Sequence, residues 1–293
     1  MRKILITGSS GMLGKDIYKI LSINKDNEIY AINRKIDASV KNSYDVDIRE
    51  HLKVYSIINS INPDVIIHTA ALVNVDFCEK NKDIAYEVNV NASKYLAKLT
   101  KRMIYISTDS VYNGFDGNFK ETDRKNPINY YAETKSIAED EIMRINPNSI
   151  IIRTNLYGYH TPLGKSLFEW AYENLSRSSE IKGFHDVLFN PLYTTQLAHA
   201  IKTLLENHFS GIINIGSEES LSKFEFLTKL ANTFQFDERL IRPISLDEGL
   251  LGAKRPKNTI LNLNKMKDVT GLSFSVNSGL EQLYKDFCKI HNR

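Results

Sequence analysis

Within its first two dozen residues the chain sets the condition that most restricts its fold. Residues 3–7 (KILIT) read as a short buried strand. They run without a spacer into Gly8-Ser9-Ser10-Gly11-Met12-Leu13-Gly14. From residue 12 to 23, Leu13, Ile17, Ile20 and Leu21 recur on one helical face. A strand that becomes a helix through glycines at every third position is a phosphate cradle in outline. One glycine permits the sharp turn, another lets backbone approach a pyrophosphate, and the third lets helix and strand pack closely. The helix N-terminus then offers free N–H groups and partial positive charge. A ligand-free tight turn would use the same glycines, but the strand before and the helix after favour dinucleotide binding by Gly8, Ser10, Gly11, Met12, Leu13 and Gly14.

The alternation continues. Strands are expected at 28–32, 65–68, 103–107 and 149–153, and helices at 84–100 and 129–145. Such alternation implies right-handed crossovers and an α/β fold: a doubly wound, Rossmann-type parallel sheet covered on both faces. The second half is less regular. Helices are expected at 167–175, 195–207, 221–234 and 277–291, with one short strand at 211–215. This predicts a cofactor domain of residues 1–157 and 189–216. Residues 158–188 and 217–293 would form a smaller α+β substrate domain. Trp170 is expected in the core.

Composition narrows the class. Of 293 residues, 42% are hydrophobic and 25% charged, which suits a globular chain rather than a disordered one. Lys plus Arg number 38 against 35 Asp plus Glu, and no basic block concentrates the difference, so no nucleic-acid partner is expected. The most apolar stretch, 65–75, is interrupted by His68, Thr69 and Asn74, which argues against a membrane span. The apolar run after Lys3 ends at Thr7-Gly8, too soon for a signal-peptide core. Cys78 and Cys288 read as free thiols, which points to a reducing, cytoplasmic setting.

The second strand ends Ile32-Asn33-Arg34-Lys35, where a site for NAD places a carboxylate on the ribose. Two cations there favour the 2′-phosphate of NADPH, with NADH possible; alternatively Arg34 and Lys35 are solvated loop residues. Further on, Asp47-Ile48 lies where an Asp takes the adenine amino group, or where Asp47 caps the helix near His51.

Downstream, Ile106-Ser107-Thr108-Asp109-Ser110 closes a strand, and Tyr131-Ala-Glu-Thr-Lys135 sits on a helix. Tyr and Lys at i and i+4 share a face. An ammonium beside Tyr131, together with the positive nicotinamide ring, is expected to lower its pKa from near 10 toward the working pH, making it an efficient general acid. Lys135 would also bind the nicotinamide ribose, and Thr108 would hold the substrate carbonyl. The seven histidines show no ligand spacing, so no metal is expected.

The motifs, in order, resemble the extended short-chain dehydrogenase/reductase superfamily over nearly the whole chain. They are the glycine loop, His68-Thr69-Ala70-Ala71, Val88-Asn89-Val90, Thr108, and Tyr131 with Lys135. Within the superfamily, Ser107–Tyr112, Tyr131–Lys135, Arg153–Gly158 and Ala253-Lys254-Arg255-Pro256 are most similar to the dTDP-4-dehydrorhamnose reductase family. The resemblance implies cofactor contacts from Ile48, Ala70, Ala71 and Asn89. It also implies substrate contacts from Asp109, Asn155 and Arg255. Arg255 would meet a diphosphate, or else pair with a surface carboxylate. Lys165, Phe184, Asn190 and Tyr193 would line the sugar pocket or serve as packing. The chain departs from the family at Ser110, where an aromatic residue is usual, and at Leu156, where Trp is common. Lys15, at the start of the first helix, does not fit the family's metal-linked dimers, and a homodimer is expected from the family alone.

The implied reaction is NADPH-dependent reduction of the 4-keto group of a nucleotide-linked 6-deoxy-hexulose, supplying a deoxysugar for surface polysaccharide. Three rivals follow. A dehydratase would need the Glu that Ser110 replaces. An NAD-dependent epimerase would want the missing acidic residue after the second strand. A non-catalytic NADP-binding regulatory subunit would have no use for Thr108, Tyr131 and Lys135.

Overall fold

The computed structural model describes residues 1–35, 39–249 and 251–291. Its first half runs β1 (Arg2–Thr7), α1 (Met12–Leu21), β2 (Asn27–Asn33), β3 (Asn42–Asp45), α2 (His51–Ile61) and β4 (Val65–His68). Next come α3 (Val75–Lys80), α4 (Lys82–Tyr86), a π-helical turn over Glu87–Asn91 and α5 (Ala92–Lys98). They lead to β5 (Met103–Ile106), α6 (Tyr130–Ile145) and β6 (Ile150–Arg153). The second half begins with β7 (Asn155–Tyr157), α7 (Leu167–Leu175), β8 (Ile181–Phe184), β9 (Leu188–Phe189), β10 (Pro191–Tyr193) and α8 (Thr194–Glu206). It ends with β11 (Gly211–Asn214), β12 (Leu221–Ser222), α9 (Lys223–Thr233), β13 (Ile241–Ile244), α10 (Asn264–Thr270) and α11 (Val276–His291).

Seven strands form one parallel sheet in the order β3-β2-β1-β4-β5-β6-β11. The chain steps outward from β1 to β3, then returns to place β4 on the other side of β1. That reversal opens a crevice at the carboxyl ends of β1 and β4, where ligands of such sheets bind. Period-two alternation covers both faces. Ile4 and Ile6 pack toward Leu13, Ile17, Leu197 and Ile201 of α1 and α8. Leu5, Ile66 and Ile151 pack toward Val54, Leu96 and Ile142 of α2, α5 and α6. A separate aromatic-rich core joins Phe168, Ile181, Phe189, Phe226, Leu230, Leu280 and Phe287.

Several expectations change. Helix 84–100 is three pieces, because the π turn inserts at Glu87–Asn91 and turns Asn89 inward. Residues 221–222 pair as β12 with β9, so the expected helix 221–234 starts at Lys223. β3 and the two- to four-residue strands of the second half are too short to show a period in the sequence. Trp170 is 39% exposed rather than in the core, since α7 buries Phe168, Ala171 and Leu175 instead. Cys78 and Cys288 are free thiols. Among the described residues no helix is long and apolar enough to cross a membrane.

Candidate active site

Gly8 turns the chain out of β1 at φ +78°, and a Cβ there would lie 3.0 Å from the Ala70 nitrogen. Gly14 sits so close to the loop that a Cβ would meet the Gly8 carbonyl. Both positions therefore require glycine. Gly11 precedes α1 without a side-chain cap, and the first turn carries no acidic residue. The first N–H groups of α1 are thus free to meet an anion. Asn33, buried at the end of β2, clamps the loop. Its Oδ1 accepts from the Ser10 nitrogen at 3.3 Å, and its Nδ2 donates to Ser9 Oγ at 2.9 Å. Arg34 and Lys35 follow it into solvent.

Asp47 is gripped by Arg49 through two bonds of 2.9 and 2.8 Å. Arg49 holds its carboxyl below the usual range, with Arg34 adding to the effect. It does not cap α2. The N-cap position belongs to Glu50, which makes no side-chain cap bond. Ile48 is buried.

Beyond β4 the crevice wall is tied down by a chain of buried polar groups. Thr7 Oγ1 meets His68 Nδ1 at 2.6 Å, and His68 Nε2 meets Ser93 Oγ at 2.9 Å. Ser93 Oγ donates to the Asn89 carbonyl at 2.7 Å. The Asn89 side chain then accepts from the Leu72 nitrogen and donates to the Leu72 carbonyl and to Thr134 Oγ1. Asn89 therefore fixes the loop that carries Ala70 and Ala71, both partly exposed, and its amide is fully engaged within the chain. Burial, assisted by the Lys135 charge, pushes His68 down to about 3, so it stays neutral.

Asn129 caps α6 by accepting from the Ala132 nitrogen at 3.0 Å. The helix then presents Tyr131, Lys135 and Glu139 one turn apart. Lys135, 2% exposed, donates from Nζ to the Ile106 carbonyl at 2.6 Å and lies 4.0 Å over the Tyr105 ring. Burial lowers its pKa to about 7, opposed by Glu139. Tyr131 departs from expectation. Burial raises its pKa, the Thr108 hydroxyl opposes this, and the Asp109 charge reinforces it. The phenol is thus held protonated, the form a general acid needs.

Thr108, 6% exposed, ends the segment after β5 and caps a short 3-10 turn by accepting from the Ser110 nitrogen at 3.2 Å. Asp109, 1% exposed, has both oxygens occupied: Oδ1 by Thr108 and Ser110, Oδ2 by Asn155 at 2.8 Å and Thr259 at 2.6 Å. The expected substrate residues Asp109 and Asn155 therefore bond to each other. Arg255 pairs with Asp76 at 3.0 Å and donates to the Ala253 carbonyl at 2.8 Å, which is the surface-carboxylate alternative. Asn190 and Tyr193 turn inward: Asn190 accepts from the Leu261 nitrogen, and the Tyr193 hydroxyl donates to Asp286. Lys165 is exposed.

Beneath the site lies a buried pair. Arg153 and Glu139, each at most 1% exposed, bond at 2.7 Å. Ser107 Oγ donates to Glu139 at 2.5 Å, and Arg153 donates to the Tyr112 hydroxyl at 2.6 Å. Glu139 stands four residues after Lys135, a spacing visible in the sequence. Asn33 and Thr259 have no such local signal.

Against known proteins, the family described as the RmlD substrate binding domain matches residues 1–288. A dTDP-4-dehydrorhamnose reductase of Aggregatibacter actinomycetemcomitans is 29% identical over 296 residues, covering 93% of this chain and 94% of that protein. Methionine adenosyltransferase 2 subunit beta of Danio rerio is 28% identical over 281 residues, covering 93% and 86%. Among solved structures, the dTDP-4-dehydrorhamnose reductase of Bacillus anthracis in complex with NADP superposes with a TM-score of 0.88. It is 28% identical, with 98% of this chain and 100% of that one covered.

Proposed function

The chain belongs to the RmlD substrate binding domain family, and from that premise we propose that it is an NADPH-dependent reductase of the 4-keto group of a nucleotide-linked 6-deoxy-hexulose. One observation carries the reading: Thr108, Tyr131 and Lys135 converge at the carboxyl edge of the sheet, beside a glycine cradle that a Cβ would fill. The likeness to a reductase solved with NADP supports the same cofactor class.

The cradle fits a dinucleotide. Gly8, Ser10, Gly11, Met12, Leu13 and Gly14 would hold the diphosphate on the α1 N-terminus, with Arg34 near a 2′-phosphate and Asp47 and Ile48 toward the adenine. Ala70 and Ala71 would form the opposite wall, fixed by Asn89. When bound, the nicotinamide supplies the hydride. Thr108 orients the keto oxygen by turning its one hydroxyl proton from Asp109 Oδ1, which keeps the bond from Ser110, to that oxygen. Tyr131, kept protonated by burial, gives that oxygen its proton. Lys135, fixed by its bond to the Ile106 carbonyl, holds the ribose edge through the remaining hydrogen-bond donors of its Nζ. In this reading residues 1–157 and 189–216 serve the cofactor, and 158–188 and 217–293 serve the sugar nucleotide. Dehydration is disfavoured because Ser110 is no acid and Asp109 is spent on four internal bonds.

A second reading has its own support in the methionine adenosyltransferase subunits, which are as similar as the reductases. In it the chain is a regulatory subunit that binds NADP without turnover. One assay separates the two. NADPH loss is followed in the near ultraviolet with dTDP-4-keto-L-rhamnose generated in the same tube, and NADH is run in parallel. The reductase predicts rapid loss, faster with NADPH. Binding of NADPH without loss, on this and other nucleotide ketosugars, would leave the regulatory subunit.

A further inference from the structure

Lys223 opens α9 at a position set by the surrounding bonds. Its nitrogen donates to the Val187 carbonyl at 2.9 Å. Ser222 and Glu225 close a capping box around the helix start, and β12 pairs antiparallel with β9 immediately before it. The side chain crosses to Phe189 of β9, where Nζ stands 3.3 Å from the ring centroid. Beyond the ring lies the Asp109 cluster, since Thr259 bonds both the Leu188 carbonyl and Asp109. The Lys223 ammonium feels the Asp109 charge but reaches neither that carboxylate nor any carbonyl among the described residues. An ammonium has three donors, and the face of one ring satisfies none of them as an acceptor oxygen would. Lys223 is only partly buried, so these donors stay accessible to an anionic ligand.

Asp109 cannot be that anion without giving up its bonds to Asn155 and Thr259. Arg255, the other cation expected at this end of the site, is already paired with Asp76. The substrate class proposed above carries one strongly anionic part, its diphosphate. Resting on that reading, we propose that Lys223 binds a phosphate oxygen of the substrate's nucleoside diphosphate, at a wall made by Phe189, Asp109 and Thr259. Lys223 is then a substrate-affinity residue that does not enter the proton-transfer step.

The test is calorimetric titration of the NADPH-loaded protein with dTDP, UDP, GDP and ADP, and with the matching nucleosides. Wild type, Lys223→Gln and Lys223→Arg are compared. At least one diphosphate is expected to bind Lys223→Gln about tenfold or more weakly than wild type. Lys223→Arg should hold it nearly as well, and nucleoside binding should be equal in all three. In turnover, Lys223→Gln should raise KM for the nucleotide sugar with kcat within about twofold. Because the partly exposed Lys223 side chain makes no hydrogen bond or ion pair among the described residues, Lys223→Gln should unfold close to the wild-type temperature, which separates a lost ligand contact from a damaged fold. Equal diphosphate affinity in wild type and Lys223→Gln would overturn the assignment alone. Failure of every diphosphate to bind wild type would overturn the nucleotide-sugar reading and this assignment with it.

Discussion

Lys135 and Tyr131 share a helical face, yet burial moves their acidities in opposite directions. Lys135 has a folded-state pKa of about 7 against an ordinary 10.5. Between those values the unfolded chain holds the proton and the folded protein does not, so stability rises with pH across that window. Lys135→Met removes the titration. Wild type should therefore gain stability relative to the variant as pH rises from about 7 to about 10, read from denaturant midpoints. Midpoints that ran parallel would mean that Lys135 does not titrate there. For Tyr131 the expected outcome is kinetic: Tyr131→Phe should lower kcat by about two to four orders of magnitude and leave the NADPH dissociation constant unchanged. Surviving turnover would remove the phenol from the mechanism. The pairing of these two residues was legible as Tyr-x-x-x-Lys. Their acidities were not, because desolvation depends on what packs around a group, here Ile106, Tyr105 and Thr108.

On a single element, α6 carries Tyr131, Lys135 and Glu139 at successive turns, and Glu139 anchors the helix to β6 through Arg153. Removing one partner of a buried pair leaves an uncompensated charge. Arg153→Met should cost about 3–5 kcal/mol in urea unfolding, while Glu139→Leu combined with Arg153→Met should recover most of it. Additive losses would show that the two residues do not act as a unit. Helix α6 was readable in the sequence as a helix over 129–145. The break in 84–100 was not, because the π turn is stabilised by bonds from Asn89 to Leu72 and Thr134, which lie 17 and 45 residues away.

For the molecule as a whole, the aromatic-rich core of the second half is separate from the two cores that cover the sheet. Phe287 of α11 has its ring 5.1 Å from that of Phe168 and 4.6 Å from that of Tyr172, and reaches α1 through Tyr159, whose ring Lys15 overlies. Phe287→Ala should cost about 3–5 kcal/mol, and NADPH should still raise the unfolding temperature of the variant as it does for wild type. Loss of that ligand-induced shift would mean that the second core supports the cradle directly.

By itself the sequence determined the strand–glycine–helix entry, the alternation that builds a parallel sheet, and the shared helical face of Tyr131 and Lys135. Each is a pattern within a few residues, governed by turn geometry or helical period, so neighbours in the chain suffice. Tertiary structure alone decided which charges are satisfied. Arg255 meets Asp76 across 179 positions, Thr259 meets Asp109 across 150, and Lys223 faces Phe189 rather than a carboxylate. Pairing and desolvation belong to groups that only the folded chain brings together, and no local spacing encodes them.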